Sequence, residues 1–309
     1  MGALYLIAGS VLLWFGAETF VRCSAALALR MGLTPLAVGL TVVAFGTSMP
    51  ELGVSLDSAI SGLGEVATGN VVGSNIANVA LILGLAALIR PIEVRAQLLR
   101  FDVPIVIVAS VVVAALFRDG ALGRLGGAIL LVSLLAYVAW QLRKARLETD
   151  APASHVGERT VRRSLPVILS LIAVGLAMLA AGSHAFVQGA ETLARQLGVS
   201  PALIALTIVA VGTSLPEMAT SLVAAARGEG DIAVGNVVGS NAFNLLGILG
   251  VAALARPIAR GSVGPVDFGV MLGFALLMLP VMRTGYRISR LEGGFLVAGY
   301  LGYLWWLMP

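Results

Sequence analysis

Two short stretches of this sequence put a carboxylate inside an apolar run, where an uncompensated charge is least tolerable. Ala44-Phe45-Gly46-Thr47-Ser48-Met49-Pro50-Glu51 is the first, and Ala210-Val211-Gly212-Thr213-Ser214-Leu215-Pro216-Glu217 repeats it. Pro50 and Pro216 have no N–H, and each ring clashes with the preceding turn, so no helix passes through unbroken. A break at membrane depth frees backbone carbonyls, which is tolerated only where they line a protein cavity or meet a ligand. Thr47, Ser48, Thr213 and Ser214 add hydroxyl oxygens beside the carbonyls. Ser48-x-x-Glu51 also has the spacing of a capping box. Capping needs no charge, however, because Gln would serve, and a carboxylate at mid-span costs roughly 3 kcal/mol or more. Two such groups at matching depth need a common partner.

The following apolar segments supply the complement. Residues 69–78 read GNVVGSNIAN and 235–244 read GNVVGSNAFN. Ser74 and Asn78 lie four apart on one helix face, as do Ser240 and Asn244. Gly69, Gly73 and Asn70, with Gly235, Gly239 and Asn236, read as places where helices approach closely. Asn75 and Asn241 fit packing and ligation equally. The assembled set holds two carboxylates, hydroxyls, amide carbonyls and freed backbone oxygens, without sulfur or paired histidines. Hard cations take such ligands: Ca²⁺ accepts about six to eight oxygens, whereas transition metals favour imidazole or thiolate. Na⁺ accepts the same oxygens, and competition for shared ligands is the physical basis of exchange.

Positioning these groups requires membrane-spanning helices. Of 309 residues, 59% are hydrophobic and only 12% charged, half the charge of an ordinary soluble surface, and the mean hydropathy is +0.98. Ten apolar segments are expected, near 3–27, 34–60, 69–89, 102–117, 121–141, 166–194, 200–226, 232–255, 264–282 and 291–308. The fold class is therefore all-α and integral to the membrane. Residues 3–17 lack the basic flank of a signal peptide and are expected to stay as the first helix. A polar stretch at 143–165 separates a first repeat, 1–142, from a second, 166–309.

The two halves share an offset of 166 residues from Glu51 to Glu217, Asn75 to Asn241 and Arg90 to Arg256. A looser echo, GAET at 16–19 and 189–192, is displaced by 173, which implies a small insertion. Five spans per half, an odd number, make the halves enter the membrane in opposite senses, an inverted repeat with helices 2 and 7 broken. With both termini outside, 15 of the 20 Lys and Arg fall on the cytoplasmic side with the linker, as the positive-inside rule requires. That distribution, in short gaps between apolar runs, also argues against nucleic acid as the meaning of the net charge of +4. Cys23 is the one cysteine, so an internal disulfide and a CxxC metal site are excluded.

Enzyme chemistry fits poorly. A serine protease needs a Ser–His pair, and only His184 lies in a span; no HExxH helix exists, and Gly62-x-Gly64-x-x-Ala67 has no βαβ context. Neither enzyme reading explains a carboxylate motif in both halves. No cofactor is expected beyond the carried ions.

GTSMPE with GNVVGSNIAN, and GTSLPE with GNVVGSNAFN, resemble the paired α-repeats of the cation/calcium exchanger superfamily, nearest its prokaryotic Na⁺/Ca²⁺ exchanger branch. The resemblance covers nearly the whole chain. It implies a plasma-membrane antiporter exchanging Na⁺ for Ca²⁺ by alternating access, with Glu51 and Glu217 bridging the Ca²⁺ and Na⁺ positions. Thr47, Ser48, Ser74, Thr213, Ser214 and Ser240 would add oxygens, with the carbonyls of Ala44 and Ala210 and the central Asn78 and Asn244. It also implies that the first and sixth spans form a gating bundle sliding across the other eight. Asn244 stands where potassium-dependent relatives carry Asp, which disfavours K⁺ cotransport. Gly69-Asn70 is not followed by the acid of proton-coupled relatives, so H⁺/Ca²⁺ exchange is the alternative.

Other polar residues carry smaller expectations. Asp102, Asp267, Glu18 and Glu191 read as interfacial, and Glu65 and Asp231 as solvated loop residues. At the offset of 173 His184 has no repeat partner, since it falls on Val11, and it reads as a hydrogen-bonding group; Asp57 has no acidic counterpart, since 166 residues on stands Val223, and it is not expected to line a vestibule.

Overall fold

The structure is a computed structural model describing residues 1–147, 163–197 and 210–307. The described chain is helical apart from four two-residue strands. Its helices are α1 (Gly2–Met31), α2 (Pro35–Thr47), α3 (Met49–Ile60), α4 (Gly64–Ile89), α5 (Leu98–Leu116) and α6 (Arg124–Leu147). After the polar stretch come α7 (Leu165–Gln196), α8 (Leu215–Arg227), α9 (Gly230–Ala255), α10 (Pro265–Arg283) and α11 (Arg290–Leu307). Seven of these are long and apolar enough to cross a membrane, and α2 with α3 makes an eighth as a bent pair. The first part of the expected seventh span, 200–209, lies outside the described residues, and the expected tenth is the 18-residue α11.

Local sequence explains the breaks. Gly32 ends α1 in the left-handed region, φ 64°, where its N–H reaches the Ala28 and Leu29 carbonyls. Thr34 caps α2 by accepting the Ala37 N–H at 3.1 Å, with Pro35 in the first turn. At Ser48 (φ −83°, ψ 9°) the axis turns by 47° into α3, because Pro50 denies the helix a donor. Ser214 (φ −85°, ψ 5°) precedes α8 and Pro216 in the same way.

Contacts between the halves come in reciprocal pairs. Strand β1 (Ile92–Glu93) pairs antiparallel with β4 (Arg287–Ile288), and β2 (Ala121–Leu122) with β3 (Ile258–Ala259). Ile92 meets Ile288 while Leu122 meets Ile258, which is the same contact with the repeats exchanged. The Arg90 guanidinium packs at Gly228 and that of Arg256 at Gly62. Such mutual exchange is the mark of a two-fold relation.

α1 and α7 lie antiparallel along a seam of glycines spaced seven apart: Gly2 against Gly189, Gly9 against Gly182, Gly16 against Gly175. A Cβ on Gly9 would sit 2.6 Å from the Phe186 backbone nitrogen, so only glycine permits this approach. The heptad spacing explains the GAET echo. The offset of 166 runs without a gap through Gly9 and Gly175, Gly16 and Gly182, and Phe20 and Phe186. A slide of one heptad, to 173, merely matches glycine with glycine again. No insertion is needed, and His184 does have a counterpart, Glu18.

Two further expectations are corrected. Asp102 is not interfacial: it is wholly buried between α5 and α6, accepting from Tyr137 Oη at 3.0 Å and Gln141 Nε2 at 2.6 Å. The wider π-helical turn Leu98–Asp102 carries it inside. Asp231 is paired, not merely solvated: its carboxylate meets Arg95 at 2.6 Å. Asp267 stays at its helix start, accepting the Gly264 N–H at 2.7 Å.

Candidate ion-binding site

The two broken helices face each other, and each supplies the donor for the other's carboxylate. Ser48 Oγ, at the α2–α3 break, donates to Glu217 Oε1 at 2.7 Å. Ser214 Oγ, at the start of α8, contacts Glu51 Oε1 at 3.1 Å and Ser74 Oγ on α4 at 3.1 Å. Both carboxylates are about 1% exposed. Each sits in the first turn of its half-helix, where the backbone N–H groups favour negative charge. Each keeps its second oxygen, Glu51 Oε2 or Glu217 Oε2, without a hydrogen-bond partner among the described residues. Among the described residues no cationic side chain hydrogen-bonds either group. Two buried carboxylates met by neutral donors leave a deficit of positive charge between the halves.

The remaining expected residues surround this pair. Thr47 Oγ1 lies 3.3 Å from the Ala44 carbonyl and 3.1 Å from Asn236 Oδ1. Thr213 Oγ1 mirrors it, 3.3 Å from Asn70 Oδ1. Ser240 Oγ reaches the Ala44 carbonyl at 3.5 Å. Asn78 donates from Nδ2 to Asn241 Oδ1 at 3.0 Å and leaves its own Oδ1 unpartnered. Asn244 is buried with neither amide atom partnered. Both Asn78 and Asn244 fall in π-helical turns, Asn78–Leu83 and Phe243–Ile248, a distortion frequent at functional sites. Ala210 opens the short turn Ala210–Gly212 before α8, and its side chain lies outside the described set. The structure thus joins Glu51 and Glu217 by hydrogen bonds to Ser48, Ser214 and Ser74, with Thr47, Thr213, Ser240 and the Ala44 carbonyl linked around them through Asn70 and Asn236.

Asn70 and Asn236 do more than pack helices. Asn70 Nδ2 donates to the Glu51 carbonyl at 3.2 Å and to Ser55 Oγ at 2.9 Å. Asn236 Nδ2 donates to the Glu217 carbonyl at 3.3 Å and to Ser221 Oγ at 2.9 Å. Each asparagine thus holds the backbone of one glutamate while meeting a threonine of the other half. The equal spacing, 19 residues after each glutamate, was the available signal. Close packing holds at the second-half glycines, where a Cβ on Gly239 would lie 2.5 Å from the Leu40 carbonyl oxygen, but not at the first: Gly73 meets nothing within 4 Å and Gly69 only Val263 at 3.8 Å.

Among the described residues no group of three or more His, Cys, Asp and Glu side chains forms a metal cluster. The charged part of any cation site here is the Glu51–Glu217 pair, completed by neutral oxygens as hard cations prefer.

Comparison with known proteins agrees with this chemistry. The family described as "Sodium/calcium exchanger protein" matches residues 1–143 and 167–308. The chain belongs to the sodium/calcium exchanger family. Members of this family are transporters, not enzymes. The sodium/calcium exchanger MaX1 of Methanosarcina acetivorans is 31% identical over 97% of both chains. The inner membrane protein YrbG of Escherichia coli is 36% identical, over 98% of this chain and 97% of its own. The putative antiporter CaxA of Alkalimonas amylolytica is 34% identical over the same shares. Among solved structures, the sodium-calcium exchanger NCX_Mj, soaked with Na⁺ and Ca²⁺, superposes with a TM-score of 0.85. It is 30% identical, with 100% of this chain and 99% of that one covered. This exchanger is accordingly a multi-span, all-helical membrane protein of a cation/Ca²⁺ exchange family.

Proposed function

We propose that this exchanger is an antiporter that carries Ca²⁺ in one direction and Na⁺ in the other, by alternating access to the Glu51–Glu217 centre. The observation that carries the reading is the crossed arrangement of Ser48 with Glu217 and Ser214 with Glu51. Each half completes the other's carboxylate, and one oxygen of each glutamate is left for a cation. Two carboxylates balance one Ca²⁺, and Na⁺ shares the same oxygens. Thr47, Thr213, Ser74, Ser240, Asn78, Asn244 and the Ala44 and Ala210 carbonyls complete the set. A ligand that suits both ions at different times enforces exchange, because the empty, doubly charged centre is too costly to reorient across hydrocarbon.

The same reading gives ten spans in two inverted repeats, 1–142 and 166–309, joined by a cytoplasmic linker at 143–165. Both termini face outward across the plasma membrane, following the arginine distribution. The reciprocal contacts between halves support the two-fold part of this picture.

The test is ⁴⁵Ca²⁺ uptake into proteoliposomes of purified protein loaded with Na⁺, with K⁺, or with a pH gradient alone. Uptake that requires internal Na⁺ supports the proposal. Uptake driven by the pH gradient and indifferent to Na⁺ replaces it with H⁺/Ca²⁺ exchange at the same centre.

A further inference from the structure

The two-fold relation between the halves is broken at one place that matters for opening. α1 lies along α8, the half-helix that carries Glu217. The repeat-equivalent contact, α7 along α3, is not made to any comparable extent. Side chains record the difference. Leu215 on α8 is 4% exposed, whereas its equivalent Met49 on α3 is 44% exposed. Val223 is buried on α8, and its equivalent Asp57 is exposed on α3. The α1–α7 pair, fused through its glycine seam, therefore covers one half-helix and leaves the other open.

Charge is distributed with the same asymmetry. Glu18 on α1 receives the Arg227 Nε at 2.8 Å, and the Arg227 guanidinium also pairs with its other oxygen. Arg22, one turn on, meets Glu18 at 2.6 Å, within the same helix. The repeat places His184 where Glu18 stands, Gln188 where Arg22 stands, and Ser61 where Arg227 stands. His184 and Gln188 lie 2.9 Å apart within α7, and the structure gives no ion pair from α7 to α3 among the described residues.

We infer that the Glu18–Arg227 pair is a latch that holds the α1–α7 unit against α8 and closes the arginine-rich end of the protein in the conformation described here. Exchanging the conformations of the two halves generates the opposite state: α7 would cover α3, and α1 would leave α8. That change must break Glu18–Arg227 and forms no arginine–carboxylate pair in return: the repeat would set His184 over Ser61, and Asp57, one turn earlier, would be covered with an imidazole beside it and no arginine. The latch therefore biases the resting protein toward the state closed at the arginine-rich end. The geometric inference stands on the asymmetry alone; its bearing on turnover rests on the antiport reading. Glu18 and Arg227 act as positioning residues, away from the carried ion.

The experiment uses the full chain with its one native cysteine replaced, Cys23→Ala, and a reporter at Val223→Cys or Asp57→Cys. The rate of modification by a small impermeant thiol reagent is followed in nanodiscs, where both faces are accessible. Removing the charge-assisted bond with Arg227→Gln is expected to raise the Val223→Cys rate about tenfold and to lower that of Asp57→Cys. Arg227→Lys, which keeps the charge, and Arg22→Gln, which spares the bridge between elements, are expected to leave both rates near the parent value. Arg227 is half exposed, so its loss does not threaten the core. Unchanged rates in Arg227→Gln overturn the latch, and so does an equal rise in Arg22→Gln. Labelling is independent of which ion is carried. A shifted labelling pattern without Na⁺-driven ⁴⁵Ca²⁺ uptake in the parent protein keeps the latch and removes the exchange reading.

Discussion

Ser48 and Ser214 are equivalent residues in the two repeats, and each hydrogen-bonds the glutamate of the opposite repeat, at 2.7 Å and 3.1 Å. Neither half of the chain can build this centre alone. The crossed bonds also tie the carboxylate orientation in one half to the helix break in the other. Removing either hydroxyl leaves a buried carboxylate oxygen with one donor fewer, and bonds to charged groups contribute about 1.5–3 kcal/mol. Ser48→Ala and Ser214→Ala are therefore each expected to weaken cation binding about tenfold or more. Apparent affinity from ⁴⁵Ca²⁺ uptake against external Ca²⁺ checks this; an effect confined to one serine contradicts the equivalence.

Asn236 is wholly buried and bonds the Glu217 carbonyl, Ser221 and Thr47, whereas Asn70 is only part-buried. Asn236→Ala is expected to cost roughly 1–3 kcal/mol, the penalty for buried groups left unpaired. The thermal midpoint in detergent should fall further for Asn236→Ala than for Asn70→Ala. An equal or smaller loss at Asn236 contradicts the role given to its bonds.

The glycine seam yields a contrast within one chain. Ala at Gly9 places its Cβ 2.6 Å from backbone, where nothing flexible can yield, and overpacking of this kind costs about 1–3 kcal/mol. Ala at Gly53, on α3, meets nothing within 4 Å and gains helix propensity. Gly9→Ala should lower the thermal midpoint, and Gly53→Ala should hold or raise it. The reverse order would exclude a tight α1–α7 contact.

The sequence made the site legible through two properties. Pro50 and Pro216 each deny a helix its donor just beyond a Thr-Ser pair, so the breaks before Glu51 and Glu217 were legible locally, whereas α10 runs on through Pro280. The exact recurrence of Thr-Ser-x-Pro-Glu and Gly-Asn-Val-Val-Gly-Ser-Asn then assigned the same role to both halves. What escaped the sequence was whatever depends on which atom meets which. The burial of Asp102 follows from a π-helical turn and from Tyr137 and Gln141, which lie 35 and 39 residues away. The asparagines that hold the glutamate backbones looked like packing residues, because Asn suits both tasks. GAET misled because glycines spaced by seven match themselves after a slide of one heptad; the seam contacts fit either register, and the gapless offset of 166 from Gly9 through Phe20 to Pro35 decides it.

The central claim, that Glu51 and Glu217 form the cation centre of an antiporter, is tested most directly by ⁴⁵Ca²⁺ uptake into Na⁺-loaded proteoliposomes. Parent protein, Glu51→Gln and Glu217→Gln are compared at equal incorporation. Gln keeps the size and the hydrogen-bonding oxygen but removes the charge, so both variants should remain folded by size-exclusion profile. The account predicts Na⁺-dependent uptake in the parent and a loss of about a hundredfold or more in each variant, as expected when one of two charges on a divalent ion is removed. Normal uptake by either folded variant contradicts it.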